Sequence, residues 1–174
     1  VTALIIAGLW PELGGTAESL QELADSLQAA CPAAKVLVRH WDADLNELIQ
    51  VIQQLGGPYL IIGHSFGGST AVALSAAWGQ KIDRMILLDP VPHDDPLMVR
   101  TKVEDQWVDA FAIPEAVIRC DCYLRHAGII PPYSKPVAST SNVTNTYMDL
   151  GHSEFCSNPT VLDHIDSAAK ELCV

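Results

Sequence analysis

The chain has 174 residues, of which 49% are hydrophobic and 18% charged, and its 21 acidic residues against ten basic ones give a net charge of −11. That balance excludes a disordered segment or a coiled coil and is enough for one sizeable core, so residues 1–174 are expected to form a single domain. So negative a surface repels phosphate backbones and anionic lipid, which argues against nucleic acid as a partner. No apolar run approaches the roughly 18 residues of a spanning helix, so no membrane insertion is expected.

Thr2 to Ala7 is a short apolar run broken by Gly8-Leu9-Trp10-Pro11, the pattern of a buried strand feeding a loop. The N-terminus lacks a basic leader and reads as that strand rather than a signal peptide. Thr16 caps a helix to Ala30, with Leu20, Leu23 and Leu27 on one face, and Pro32 ends it. Lys35 to His40 is the second strand. Asp44 and Glu47 form a D-x-x-E capping box for a helix to Leu55, which Gly56-Gly57-Pro58 stops.

Tyr59 to Ile62 is the third strand, followed at once by Gly63-His64-Ser65-Phe66-Gly67 and a small-residue helix to about Trp78. Arg84 to Leu88 is the fourth strand and ends in Asp89-Pro90. Residues 91–116 have no clean period and form a short insertion, long enough for a small lid. Val117 to Arg125 is the fifth strand, with Ile118, Cys120, Cys122 and Leu124 as its expected inward set. Val143 to Met148 is the sixth strand, and Gly151-His152 follows its end. Asn158 caps a last helix, with Pro159 at its first position, to about Leu172. Repeated strand–helix–strand units imply an α/β three-layer sandwich: a mostly parallel sheet of about six strands with helices on both faces.

The chemistry concentrates in Gly63-His64-Ser65-Phe66-Gly67, a G-x-S-x-G pentapeptide set between an apolar strand and a helix. So sharp a turn strains the serine backbone, and the glycines remove side chains that would collide. The hydroxyl then stands clear at the sheet edge, with helix N–H groups behind it. A serine hydroxyl needs a base. Of six histidines, His152 is placed to emerge on the same edge as Ser65, whereas the His64 side chain is expected to point elsewhere. Cys120-x-Cys122 is half a metal pattern and reads as core. Cys156 lacks an elbow and is a poor rival nucleophile. The five cysteines read as reduced, buried thiols in a cytoplasmic protein, with a secreted protein carrying one bridge as the alternative. Asn142-Val143-Thr144 matches the glycosylation sequon, which matters only on export.

The strand–helix order, the elbow and the late Gly151-His152 before a terminal helix resemble the α/β-hydrolase superfamily over nearly the whole chain. The chain departs from that pattern in lacking the family's first two strands and any long cap, so it is a minimal version. The resemblance implies a triad in the order Ser, acid, His, with Ser65 and His152 at its ends. The acid usually follows the fifth strand, but Arg125-His126-Ala127-Gly128-Ile129 holds no carboxylate. Some lipase-like and chlorophyllase-like members carry it one strand earlier, as Asp-Pro, which points to Asp89. Asp121, Asp94, Asp95 and Asp149 remain rivals. The resemblance further implies an oxyanion hole from the N–H groups of Phe66 and Leu9, with Trp10 as an alternative to Leu9. Trp10, Trp107 and Phe111 are candidate pocket residues, though Trp107 and Phe111 also fit a plain anchoring role. The implied activity is hydrolysis of a small-molecule carboxylic ester or thioester without metal or organic cofactor. A lyase or cofactor-free haloperoxidase on the same scaffold, and a silent binding protein, stay open.

Overall fold

The computed structural model describes residues 1–8, 16–93, 97–103, 106–126, 134–138 and 140–173. Within them the chain runs β1 (Thr2–Ala7), α1 (Thr16–Ala30), β2 (Lys35–His40), α2 (Leu45–Leu55), β3 (Tyr59–His64), α3 (Phe66–Trp78) and β4 (Arg84–Leu88). It continues through β5 (Met98–Val103), β6 (Gln106–Phe111), β7 (Cys120–Arg125), β8 (Val143–Met148), a 3-10 turn (Glu154–Cys156) and α4 (Pro159–Leu172).

Six strands form one sheet in the order β2-β1-β3-β4-β7-β8, and each neighbouring pair is parallel. Alternation along β1 shows how the layers arise. Ala3, Ile5 and Ala7 join one buried cluster with residues of α1 and α4, while Leu4 and Ile6 join the other with residues of α2 and α3. Successive strand side chains point to opposite faces, so a strand apolar throughout calls for cover on both sides. Asp44 and Asn158 cap their helices as the sequence implies. Asp44 accepts from Glu47 N–H at 3.0 Å, and Asn158 accepts from Thr160 and Val161 N–H at 3.0 and 3.3 Å.

From β1 the chain crosses to β2 on one side, and from β3 it crosses to β4 on the other. The sheet thus reverses its winding between β1 and β3. At such a reversal the connections part and leave a crevice beyond the carboxyl ends of the two strands. Gly8 and Ser65 follow those two ends.

Three expectations need correction. Residues 91–116 are not featureless: β5 and β6 pair as an antiparallel hairpin. It is tied down where Phe111 N–H donates to Pro136 O at 2.8 Å and Phe111 O accepts from Ala138 N–H at 2.9 Å. Ile118 is not inward but 52% exposed, because the strand proper begins at Cys120 and only an isolated bridge at Val117 precedes it. The cysteines are not all reduced. Cys31, just past α1, is bonded to Cys173 at the end of α4 across a Cα separation of 6.3 Å. Cys120, Cys122 and Cys156 are free and buried. Disulfides persist in oxidising surroundings, so the premise behind a cytoplasmic location is removed. The sequon asparagine is engaged as well, its Asn142 Nδ2 donating to Val117 O at 2.7 Å.

The Cys31–Cys173 bond spans 142 residues of sequence and joins two helices already linked by Ser26 Oγ donating to the Asp166 carboxylate at 2.8–3.0 Å. Closing so long a loop restricts the unfolded chain, and opening it is expected to lower stability by about 2–5 kcal/mol. Urea unfolding of the Cys31→Ser/Cys173→Ser variant against the oxidised protein measures the difference. Thiol titration of the unreduced, denatured protein should find three reactive groups.

Candidate active site

Ser65 sits between β3 and α3 with φ 56° and ψ −124°. A non-glycine residue held there carries about 1–3 kcal/mol of backbone strain, which the surroundings must offset. They do so through hydrogen bonds. Ser65 N–H donates to Leu88 O at 3.0 Å, and Ser65 O accepts from Gly68 N–H at 3.0 Å and Val91 N–H at 2.9 Å. The glycines are needed for space. A Cβ on Gly63 would lie 2.5 Å from Gly67 O, and one on Gly67 would fall on the Ile6 carbonyl. A Cβ on Gly8 would lie 2.5 Å from Ser65 Cβ and 3.0 Å from Ser65 Oγ. The carboxyl end of β1 therefore abuts the serine side chain. Phe66 begins α3, where backbone N–H groups lack helical partners and the helix dipole is positive.

Asp89 follows β4 and is fully buried, with φ 45°, a conformation that aspartate tolerates better than most residues. His152 lies in the turn after β8. Its Nδ1 is 2.5 Å from Asp89 Oδ2. A carboxylate accepts only, so Nδ1 carries a proton, and in the neutral imidazole Nε2 then keeps the lone pair. Arg125 N–H donates to Asp89 Oδ1 at 3.3 Å, and Arg125 Nε lies 3.0 Å from Oδ2 as an ion pair rather than an aligned hydrogen bond. Burial alone would raise the Asp89 pKa. Hydrogen bonds from His152 and Ser134, with the charges of His152 and Arg125, outweigh it and hold the carboxyl below its usual range.

The structure thus brings together two of the residues singled out from sequence, Asp89 and His152, and sets Ser65 on the same rim. Among the rival acids, Asp121 is buried at the other end of the sheet, 2.7 Å from Arg84 Nε at the start of β4. Asp149 is exposed, and Asp94 and Asp95 lie outside the described residues. Leu9 and Trp10 lie outside them too, as does the Trp107 side chain, although Trp107 pairs with Lys102 in the hairpin. Phe111 is fully buried in the core cluster with Val117, Cys122 and Val137, where it anchors the hairpin. Cys156 is buried, and burial pushes its thiol up to about 12, which leaves no thiolate for attack at neutral pH.

His64 does not point away. Its ring centroid is 4.8 Å from that of His152, and its Nε2 lies 2.9 Å from the His152 carbonyl oxygen. Sequence reasoning also passed over Arg125, Ser134 and an aromatic cluster beside the elbow. In that cluster Trp41 lies 5.3 Å from Phe66 and 4.8 Å from His93, ring to ring. Thr70 Oγ1 donates to Trp41 O at 2.6 Å and meets His93 Nε2 at 2.9 Å. Only the Asp89 pairing had a sequence signal, the Asp-Pro after an apolar strand.

The sequence pattern of the "Alpha/beta hydrolase family" matches residues 13–153. A 64-residue stretch, 36% of the chain, is 38% identical to "Lipase LipV" of Mycobacterium tuberculosis (strain ATCC 25618 / H37Rv); the match spans 24% of that protein's length. Among solved structures, one of the metagenome-derived lipolytic enzymes LipS and LipT aligns at TM-score 0.61 and 9% identity, covering 98% of this chain and 94% of that one. The "Thioesterase Domain From Curacin Biosynthetic Pathway" aligns at TM-score 0.54 and 14% identity, covering 99% and 90%. The two structural likenesses establish the fold alone.

Burial, and then the charge of His152, lower the His64 pKa from 6.5 to about 4. Between those values the unfolded chain binds a proton that the native state refuses, so stability rises with pH across this window and falls on acidification. The group accounts for a loss of about 3 kcal/mol on going from neutral pH to pH 4. His64→Gln, which cannot titrate, is expected to show a flatter decline. Denaturant midpoints of both proteins at pH 7 and pH 4.5 measure the difference.

Proposed function

The chain belongs to the alpha/beta hydrolase family, and from that premise we propose that it is a serine hydrolase cleaving a carboxylic ester or thioester through Ser65, His152 and Asp89. The observation that carries the reading is the 2.5 Å contact of His152 Nδ1 with buried Asp89, on the rim where Ser65 is held in a strained turn. In the neutral imidazole the contact places the proton on Nδ1, so that Nε2 is the nitrogen available as a base. Resemblance over 64 residues to a lipase supports the substrate class.

In this reading Ser65 Oγ attacks the substrate carbonyl carbon while His152 Nε2 takes its proton. Asp89 keeps the imidazole in the right tautomer and stabilises the imidazolium. Charge developing on the carbonyl oxygen is met by the Phe66 N–H at the start of α3 and by the Leu9 N–H from the loop after β1. Collapse expels the alcohol or thiol, which takes the proton back from His152 and leaves an acyl group on Ser65. Water then gives its proton to His152 and attacks the acyl carbon, releasing the acid and restoring the serine. Trp10, Trp107 and the hairpin of β5 and β6, rooted through Phe111, are the proposed surroundings of the acyl group, with the hairpin as a small lid on a single 1–174 domain.

A fluorophosphonate probe should label the protein at Ser65, and a short-chain p-nitrophenyl ester should be turned over. Ser65→Ala should abolish both. Asp89→Asn should lower kcat by roughly 10³–10⁴-fold while the protein stays folded, the scale seen when a triad acid loses its charge. A folded wild type that takes no label overturns the assignment of the nucleophile, and near-normal turnover by Asp89→Asn overturns that of the acid.

A further inference from the structure

The reaction scheme gives His64 nothing to do, yet it is 3% exposed and, among the described residues, its side chain makes one directed contact, to the residue proposed as base. A carbonyl oxygen only accepts, so the 2.9 Å contact with His152 O requires His64 Nε2 to carry the hydrogen and donate it. We propose, on the serine-hydrolase reading above, that His64 is a positioning residue whose Nε2–H anchors the main chain of His152 and so aims its ring at Ser65.

The need for such an anchor follows from the other restraints on His152. Among the described residues Asp89 alone hydrogen-bonds the ring, at Nδ1, and the His152 side chain is 35% exposed. One hydrogen bond to a ring atom leaves a hinge about that bond. The turn is braced locally, where the Glu154 carboxylate accepts from Gly151 N–H and Glu154 N–H donates to Gly151 O at 3.0 Å, but those bonds join the turn to itself and not to the sheet. His64 joins it to β3, and does so from the residue covalently bonded to Ser65. Nucleophile and base are thereby referred to one piece of backbone, and near-attack geometry is lost steeply with displacements of about 1 Å.

The residue type fits the task. The donor must reach past Ser65 to a carbonyl and must bring no charge, because His152 becomes an imidazolium during turnover with its ring 4.8 Å away. Burial keeps His64 neutral at working pH. Lysine or arginine would reach but add a cation. Leucine fills the space without donating. Asparagine donates from too short a stem, whereas glutamine places its Nε2 about as far out as the histidine's.

His64→Gln, His64→Asn and His64→Leu are compared with the wild type by steady-state hydrolysis of a short-chain p-nitrophenyl ester from pH 5 to 9, alongside their melting temperatures. Loss of the anchor is expected to lower kcat about ten- to a hundred-fold in the Leu and Asn variants, a part of what a well-placed base contributes. KM should stay within about twofold, and the acidic limb of the kcat/KM profile should move. Glutamine should restore kcat to within about threefold and return the limb. Equal activity in all four proteins overturns the inference. So does a loss in all three variants that follows melting temperature, which is the signature of packing alone. The Asn–Gln contrast rests on one methylene of reach and survives failure of the Leu variant to fold. Ser65→Ala and His152→Ala run in parallel. Full activity in either sinks the serine-hydrolase reading and this inference with it, whereas dead controls beside a fully active His64→Leu sink this inference alone.

Discussion

The constraint on which the structure turns is the absence of room around the bend between β3 and α3. The chain reverses so tightly there that a methyl group on Gly67 would collide with the Ile6 carbonyl, and one on Gly63 with the backbone of Gly67 and Gly68. This closeness places α3 against the sheet and directs the N-terminus of α3 at the crevice between β1 and β3. It also forces Ser65 to a positive φ of 56°, which three backbone hydrogen bonds then hold. The glycines matter for the bulk they lack more than for the flexibility they allow.

Around that bend, polar groups from four strand ends converge. β1 brings Gly8 against the serine, β3 brings His64, β4 brings Asp89, and the turn after β8 brings His152. An all-parallel sheet makes this convergence possible, because each of these strands delivers its carboxyl end to the same rim. Asp89 is where the electrostatics are balanced. Complete burial works against its charge, while His152, Ser134 and Arg125 favour it. Among the described residues two hydrogen-bonded contacts reach His152, one at the ring from the end of β4 and one at the main chain from β3.

Most of this frame was legible in the sequence because the apolar strands, the capped helices and the glycine-flanked serine are local patterns. Asp89 was singled out through the family resemblance, which offers an Asp-Pro after this strand as a place for the acid. What stayed hidden depends on distance or direction. In β5 and β6, Met98-Val99-Arg100-Thr101-Lys102-Val103 and Gln106-Trp107-Val108-Asp109-Ala110-Phe111 mix charged and apolar residues too evenly for either period to stand out. Ile118 is apolar but lies before the true strand, so hydrophobicity alone misplaced it. Cys31 and Cys173 are 142 positions apart, and nothing local pairs them. His64 occupies a variable position of its motif, and a strand-to-helix bend rotates the side chain in a way that periodicity does not follow. Arg125 and Ser134 gain meaning only once β7 is laid beside β4.

The bond between Cys31 and Cys173 has one more consequence. It closes residues 31–173 into a covalent ring that contains Ser65, Asp89 and His152. A single cut of the backbone inside that ring does not divide the molecule. Both pieces stay tethered at the effective concentration of an intramolecular pair, and their strands have every opportunity to re-dock. Nicked chains in an oxidising medium would keep Ser65, Asp89 and His152 in one molecule, and a reductant would be needed to part them.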